Sequence, residues 1–348
     1  MNKGVPDDHH VPTCQHRCVR ATCRPAMMRA IVQRTYGTAD VLSLAVIERP
    51  TIGTGEVLIQ VRAAGLDRGT WHLMAGLPYA VRPISGLRAP KQPVPGFDVA
   101  GVVTAVGSAV TRFKPGDEVF GIAKGSFAEF ARAREDKLAL KPPTLTFEQA
   151  AAMPISGLTA LRGLEAVAKV VPGQRVLVIG ASGGVGTHAV QIAKALGAQV
   201  TGVCSTSKVE LVRSIGADHV IDYTHEDFAT SGIRYDVILD IGGNSSIARL
   251  RKALTPAGTL VITGGEGKGK WFGIGRQLHA KAISPFVRQR LTSFLNKEHF
   301  TGLERLAGLV STGQLVPTIG ATYALADMPQ AMRDLVAGNA RGKLVIVP

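Results

Sequence analysis

The chain has 348 residues, 45% of them hydrophobic and 19% charged, a composition that builds buried cores and excludes disordered and fibrous classes. Its length suits about two domains, and no apolar run approaches the ~18 residues of a membrane-crossing helix. The net charge of +14 favours anionic ligands, and three of the four cysteines lie in the first 27 residues, which excludes a disulfide framework in the body and points to a reducing, cytoplasmic setting.

The opening stretch "MNKGVPDDHHVPTCQHRCVRATCRPAM", residues 1–27, has three prolines and no apolar segment of a secretory signal. It reads as a disordered extension. Its Cys14, Cys18 and Cys23, with His9, His10 and His16, do not have the spacing of a standard zinc site. It holds four of the basic and two of the acidic residues, so the body itself is basic. From Met28 to about Leu140 the pattern is strand-like: "AIVQ", "EVLIQVRAAG", "GFDVAGVVTAVG", "DEVFG" and "FAEFARA", broken by Gly and Pro. This is the first part, residues 28–150, of a β-rich domain. "TFEQAAAMPISGLTALRGLEAVAKV" then reads as helical, with Thr146 as N-cap.

Strands and helices alternate afterwards. "RVLVIG", "QVTGVCS", "DHVIDY", "YDVILDIGG" and "GTLVITGG" are nearly all apolar, as strands covered on both faces must be. Residues 151–297 therefore form a doubly wound parallel α/β sheet. Residues 298–348 hold two helices and the strand "GKLVIV". They are too few for a domain and return to the β-rich one.

Between "RVLVIG" and the next helix lie Gly180, Gly183, Gly184 and Gly186. Such glycines permit a tight turn and close approach of a pyrophosphate to a helix N-terminus. Ser182 and Val185 complete the turn. The spacing reads either as G-x-x-G-x-x-G or as the G-x-x-x-G-x-G of short-chain dehydrogenases. The second needs a Tyr-x-x-x-Lys pair, and none of Tyr36, Tyr79, Tyr223, Tyr235 or Tyr323 has Lys at the fourth position after it.

With "PGFDVAGVVTAVGSAVTRFKPGDEVFG", "MPISGLTALRGL", "GASGGVGTHAVQIAKALGA", "GADHVIDY" and "ARGKLVIV" in this order, the chain from Met28 to Pro348 resembles the medium-chain dehydrogenase/reductase superfamily, in the branch of zinc-independent quinone oxidoreductases. The resemblance implies a Rossmann domain plus a GroES-like catalytic domain with a cleft between them, and a homodimer. In NAD enzymes an acid ~20 residues past the glycines holds the ribose hydroxyls. Here "VCSTSK" has none, and Ser205, Thr206 and Lys208 suit a 2′-phosphate instead. Lys208 and Tyr223 match the Lys and Tyr with which quinone oxidoreductases grip that phosphate. The implied cofactor is NADP(H). Thr159 and Lys343, each in a family-like segment, and Gly264, in the strand "GTLVITGG", complete the expected cofactor set, and Arg68 matches a cofactor-phosphate contact of the alcohol dehydrogenases.

The zinc ligands of those dehydrogenases are replaced. "GLDRGTWH" has Asp67 where Cys stands, "GFD" has Phe97 and Asp98 in place of His and Glu, and "MPISG" offers Ser156 and no Cys. No zinc is expected. Without a Lewis acid, alkoxide stabilisation is lost, while reduction of a quinone or an α,β-unsaturated carbonyl remains feasible because the acceptor spreads the developing charge. Asp67, Thr70, His72 and Tyr79 are the expected polar groups around it. His72 matches the proton-relay histidine of the alcohol dehydrogenases, but Gly69 replaces the intervening hydroxyl.

Two other readings stand beside this one. The first is an alcohol or aldehyde dehydrogenase working without metal. The second is an NADPH-binding protein acting on RNA or a membrane through residues 268–297, which hold seven Lys or Arg, no acid, and Trp271, Phe272, Phe286 and Phe294. No specific nucleic-acid partner is expected.

Overall fold

The computed structural model describes Met1, residues 26–264 and residues 275–348. The Cys/His cluster of the extension and Lys268, Lys270, Trp271 and Phe272 lie outside the described residues.

The chain begins with an antiparallel ribbon, β1 (Met27–Gln33) and β2 (Leu42–Glu48). The strand pattern gives no sign of β2, because only its Leu42 is buried. β3 (Glu56–Leu66) leads into α1 (Arg68–Ala75), a helix that the strand-like reading of this region misses, and then α2 (Arg82–Ser85). β4 (Asp98–Val106), β5 (Glu118–Ile122), β6 (Phe130–Arg134) and β7 (Leu138–Leu140) complete this part.

The helical stretch that follows is broken. α3 (Phe147–Ala151) starts with a capping box in which Thr146 Oγ1 accepts from Gln149 N and Gln149 Oε1 accepts from Thr146 N. It stops because Pro154 cannot continue an i→i−4 ladder. α4 (Pro154–Leu161) restarts there and runs into a π-helical turn at Arg162–Ala168.

The alternating segment gives β8 (Arg175–Ile179), α5 (Gly184–Ala195), β9 (Gln199–Cys204), α6 (Val209–Ser214), β10 (His219–Asp222), β11 (Tyr235–Asp240), α7 (Ile247–Ala253), β12 (Leu254–Ile262), α8 (Gly275–Ile283) and β13 (Arg290–Ser293). Among the described residues the sheet order is β10-β9-β8-β11-β12-β13, all parallel. Strand order reverses between β8 and β11, the place where such sheets bind ligands. Val176, Val178, Val237 and Leu239 are at most 1% exposed beneath α5, each such burial being worth roughly 1.5–3 kcal/mol. β13 is a strand that the sequence reading of the basic stretch does not include. Only Leu291 of β13 is buried, and an edge strand keeps charge to discourage unwanted pairing.

α9 (Phe300–Ser311), β14 (Ile319–Ala324), α10 (Met328–Ala337) and β15 (Lys343–Val347) carry the chain back. β15 pairs with β3, and the second sheet runs β14-β15-β3-β4-β5-β7, with β6 also on β3. β14 is a strand the sequence reading omits. α9 contains Gly308, where an added Cβ meets nothing within 4 Å. Gly308→Ala is therefore expected to stabilise the fold by ~0.5–1 kcal/mol in denaturant titration, by removing backbone freedom from the unfolded chain. A loss of stability would mean that this helix face is covered.

Candidate active site and cofactor cleft

The glycine turn closes the C-terminal end of β8. Gly180 has φ +89°, a left-handed conformation that side chains rarely adopt. A Cβ on Gly186 would lie 2.1 Å from Gly180 O, so the first turn of α5 packs directly on the turn's backbone. Gly183 N donates to Gly180 O and Thr187 N to Gly183 O. Gly184, Val185 and Gly186 open α5, and the N–H groups of its first turn present a positive helix end. Gly264 closes the neighbouring strand end: its N donates to Asp240 O, and its Cβ would sit 2.0 Å from Ile241 O. This cradle of close backbones fits a dinucleotide pyrophosphate. Thr159, on α4, donates from Oγ1 to Ile155 O at 2.7 Å and accepts from Asn296 Nδ2.

At the end of β9, Ser205 leads into a short turn, Thr206–Lys208. Lys208 Nζ donates to Gly338 O at 2.7 Å. Its pKa is lowered by burial and, next, by the charge of Arg341. Two cations from distant parts of the chain thus converge here, and the sequence reading had only one of them. Arg341 stands inside the motif "ARGKLVIV", but nothing in its spacing points to β9. Tyr223 is 62% exposed beside them, its backbone N bonded to Cys204 O. Asp222 lies beside this turn. Its carboxylate takes the Thr224 hydroxyl at 2.7 Å and backbone N at 3.0 Å and also bonds the Thr206 side chain.

On the other wall Asp67 caps α1, its Oδ1 accepting from Thr70 N at 2.8 Å. Asp67 Oδ2 is buried without a hydrogen-bond partner, and Thr70 is 1% exposed beside it. His72 Nδ1 lies 2.9 Å from Leu77 O, to which it donates, and its ring packs edge-on to Trp71. Tyr79 stacks beneath the Arg82 guanidinium. Arg68 donates to Leu335 O on α10 and lies over Trp71. Glu298 faces this wall. Burial raises its pKa against the pull of Lys137, and the Asp67 charge raises it further. The sequence reading missed it because it lies in a linker of no regular pattern.

Comparison with known proteins agrees with this arrangement. Residues 53–143 match the description "Alcohol dehydrogenase GroES-like domain" and residues 215–346 "Zinc-binding dehydrogenase". The chain is 34% identical to 2-methylene-furan-3-one reductase of Solanum lycopersicum and 37% identical to the chloroplastic NADPH-dependent alkenal/one oxidoreductase of Arabidopsis thaliana, in both cases over 93% of this chain and 80% of the relative. It superposes on the quinone oxidoreductase of Coxiella burnetii with a TM-score of 0.83 and 28% identity, over 93% of this chain and 100% of that one. This chain belongs to the medium-chain dehydrogenase/reductase superfamily. Within it the oxidoreductase falls in the quinone oxidoreductase-like, zinc-independent branch.

The zinc in one of those descriptions prompts a test of the metal position, and the residues do not fit one. Asp67 Oδ1 is engaged in capping α1, and Phe97 packs into the apolar core. Ser156 Oγ accepts from the Lys343 ammonium at 3.2 Å, and Lys343 Nζ lies 2.6 Å from Asp98 Oδ2. A lysine cation thus stands among the side chains at the ligand positions. Among the described residues, no cluster of three or more His, Cys, Asp or Glu is placed to hold a metal. This geometry also corrects the expectation that the Lys343 side chain binds cofactor. It is 2% exposed and committed to Asp98 and Ser156; the residue reaches the glycine turn through its neighbour, Gly342 N donating to Ser182 O at 2.8 Å. Among the described residues of this medium-chain dehydrogenase/reductase, no helix is long and apolar enough to cross a membrane.

Proposed function

We propose that this oxidoreductase uses NADPH to reduce quinones or α,β-unsaturated carbonyls without a metal. The observation that carries the reading is the Lys343–Asp98–Ser156 cluster in place of a metal site, directly below a dinucleotide turn. The names of the relatives, a furanone reductase, an alkenal/one oxidoreductase and a quinone oxidoreductase, support it.

The turn from Gly180 to Gly186 would hold the pyrophosphate on the α5 N-terminus. Lys208 and Arg341 would pair with the 2′-phosphate, flanked by Ser205, Thr206 and Tyr223, and a carboxylate at the end of β9 would repel it. Bound NADPH supplies the hydride. The wall of Asp67, Thr70, His72 and Tyr79 orients the acceptor's oxygen and excludes water. The hydroxyls of Thr70 and Tyr79 carry protons able to hydrogen-bond the oxygen as it gains charge, and Asp67 caps the helix that places Thr70. The acceptor's conjugation supplies the delocalisation that a metal would otherwise provide.

Phe286 is 86% and Leu278 56% exposed beside β13, whose outer edge is unpaired among the described strands. We assign that surface to a homodimer contact. The buried, unpaired Cys204 suits the cytoplasm.

The test is NADPH oxidation against a panel of one quinone, one enone and one saturated aldehyde, with and without a chelator. Turnover of the first two, undiminished by chelation, is expected. Activity on the saturated aldehyde alone, or loss on chelation, refutes the reading.

A further inference from the structure

We propose that Lys343 and Asp98 are a positioning pair for hydride transfer, a buried latch that fixes the cofactor turn in register with the substrate wall. The positioning role rests on the reductase reading above; the latch itself rests on geometry alone.

The pair joins pieces distant in sequence. Asp98 opens β4, Lys343 opens β15, and Ser156 lies in the first turn of α4. Asp98 is 0% exposed and Lys343 and Ser156 are each 2% exposed. Besides Lys343, Asp98 holds Ile155 N through Oδ1 at 2.8 Å, which caps the start of α4 left open by Pro154. The carboxylate that pairs with the ammonium is therefore itself held by a backbone amide. Above the pair sits the dinucleotide turn. A Cβ on Gly184 would lie 3.1 Å from Ser156 Oγ and 3.3 Å from Lys343 Cδ, so the first residue of α5 rests on this cluster. Gly342 bridges Gly183 in parallel register, and Gly342 N holds Ser182 O. Below, a Cβ on Gly65 would lie 2.9 Å from Asp98 Oδ2, two residues before Asp67. One side, then, carries the cofactor turn and the other carries the strand that delivers the Asp67–Thr70 wall. His188, one turn into α5, donates from Nδ1 to Gly184 O, and burial with the Lys343 charge pushes its pKa down to about 4, leaving it neutral. The cation of the latch is thus not duplicated by its neighbour.

A buried ion pair is poor evidence for stability, because apolar replacements often fold as well or better. Its retention here has a reason in geometry: nicotinamide and acceptor must meet within a fraction of an ångström, and a misplacement of ~1 Å costs about 100-fold in rate. A rigid, directional contact at the junction supplies that register.

The experiment compares wild type, Lys343→Met, and the double variant Lys343→Met with Asp98→Asn. The single variant leaves Asp98 buried and unpaired and is expected to melt well below wild type. The double variant removes both charges while Asn keeps an oxygen for Ile155 N, and it is expected to regain most of the melting temperature. In that double variant we expect NADPH affinity, read by fluorescence titration, to stay within about five-fold, because the Gly342–Ser182 bond remains. We expect kcat to fall about 10- to 100-fold, with a larger primary isotope effect from deuterated NADPH. Amide hydrogen exchange across residues 180–188 of the unliganded protein should rise. Recovery of melting temperature, exchange and kcat together to within two-fold overturns the proposal, since the pair would then be structural only. Should the double variant not fold, Ser156→Ala removes one latch contact with little disturbance. It should lower kcat about three- to ten-fold and raise exchange in the same peptide, and unchanged values overturn the latch. A wild type that oxidises NADPH with no quinone or enone sinks the proposed function instead, and the exchange measurement still decides the latch.

Discussion

Lys208→Glu is expected to weaken NADPH binding about 10- to 150-fold while NADH affinity holds or rises slightly. Losing one charged contact to the 2′-phosphate costs about 1.5–3 kcal/mol, and a carboxylate adds repulsion. NADH lacks the phosphate and is indifferent to both effects. The comparison is made within one variant, so general destabilisation cannot imitate it. Arg341→Ala should act in the same direction, because its charge already reaches Lys208. Tyr223→Phe should act more weakly, through one neutral hydrogen bond. Residues that share one ligand group couple, so the Lys208/Arg341 double variant should lose less than the sum of the two. Fluorescence titration with both nucleotides checks this. Equal weakening of both, or a wild type that does not distinguish them, would remove the NADPH assignment and leave only a dinucleotide.

Gly186→Ala should abolish useful catalysis, with kcat/KM down about 100-fold or more. The new methyl would stand 2.1 Å from Gly180 O and 2.7 Å from Ala181 Cα, which are backbone atoms that cannot step aside. Either α5 lifts from the turn or the turn opens, and the pyrophosphate cradle moves by the order of an ångström. Gly183→Ala is the contrast: its Cβ meets only Gly180 O, at 3.6 Å, so that variant should keep the fold and melt near wild type. Steady-state kinetics beside circular dichroism separates lost catalysis from lost folding. Near wild-type turnover in Gly186→Ala would show that the α5 contact relaxes freely.

These two variants mark where sequence reasoning stops. Four glycines between an apolar strand and a helix announce a dinucleotide turn, because backbone needs repeat locally. Which of them has no room for a methyl is a matter of what lies above it, which separates Gly183 from Gly186, while Gly180 is set apart by its left-handed backbone. The missing acid in "VCSTSK" was legible for the same local reason. Arg341 was not, since it reaches Lys208 from more than 130 positions away.

The sequence by itself determined the parallel sheet, the glycine turn and the second-strand loop, each from hydrophobic period or side-chain chemistry within a few residues. That Phe97 and Ser156 stand where metal ligands would came from the resemblance to the alcohol dehydrogenases. Sequence reading failed at β2, β13 and β14, where few side chains are buried and the apolar pattern is correspondingly faint. It also misplaced Lys343, read as a cofactor contact from its position in a motif. Only the tertiary structure decided that role, because β15 lies against β3, and the 245 residues separating Lys343 from Asp98 close to a 2.6 Å ion pair beneath the turn. Charge and spacing can say that a lysine is present near a site. Which carboxylate neutralises it is settled by burial, where an ammonium cannot remain unpaired.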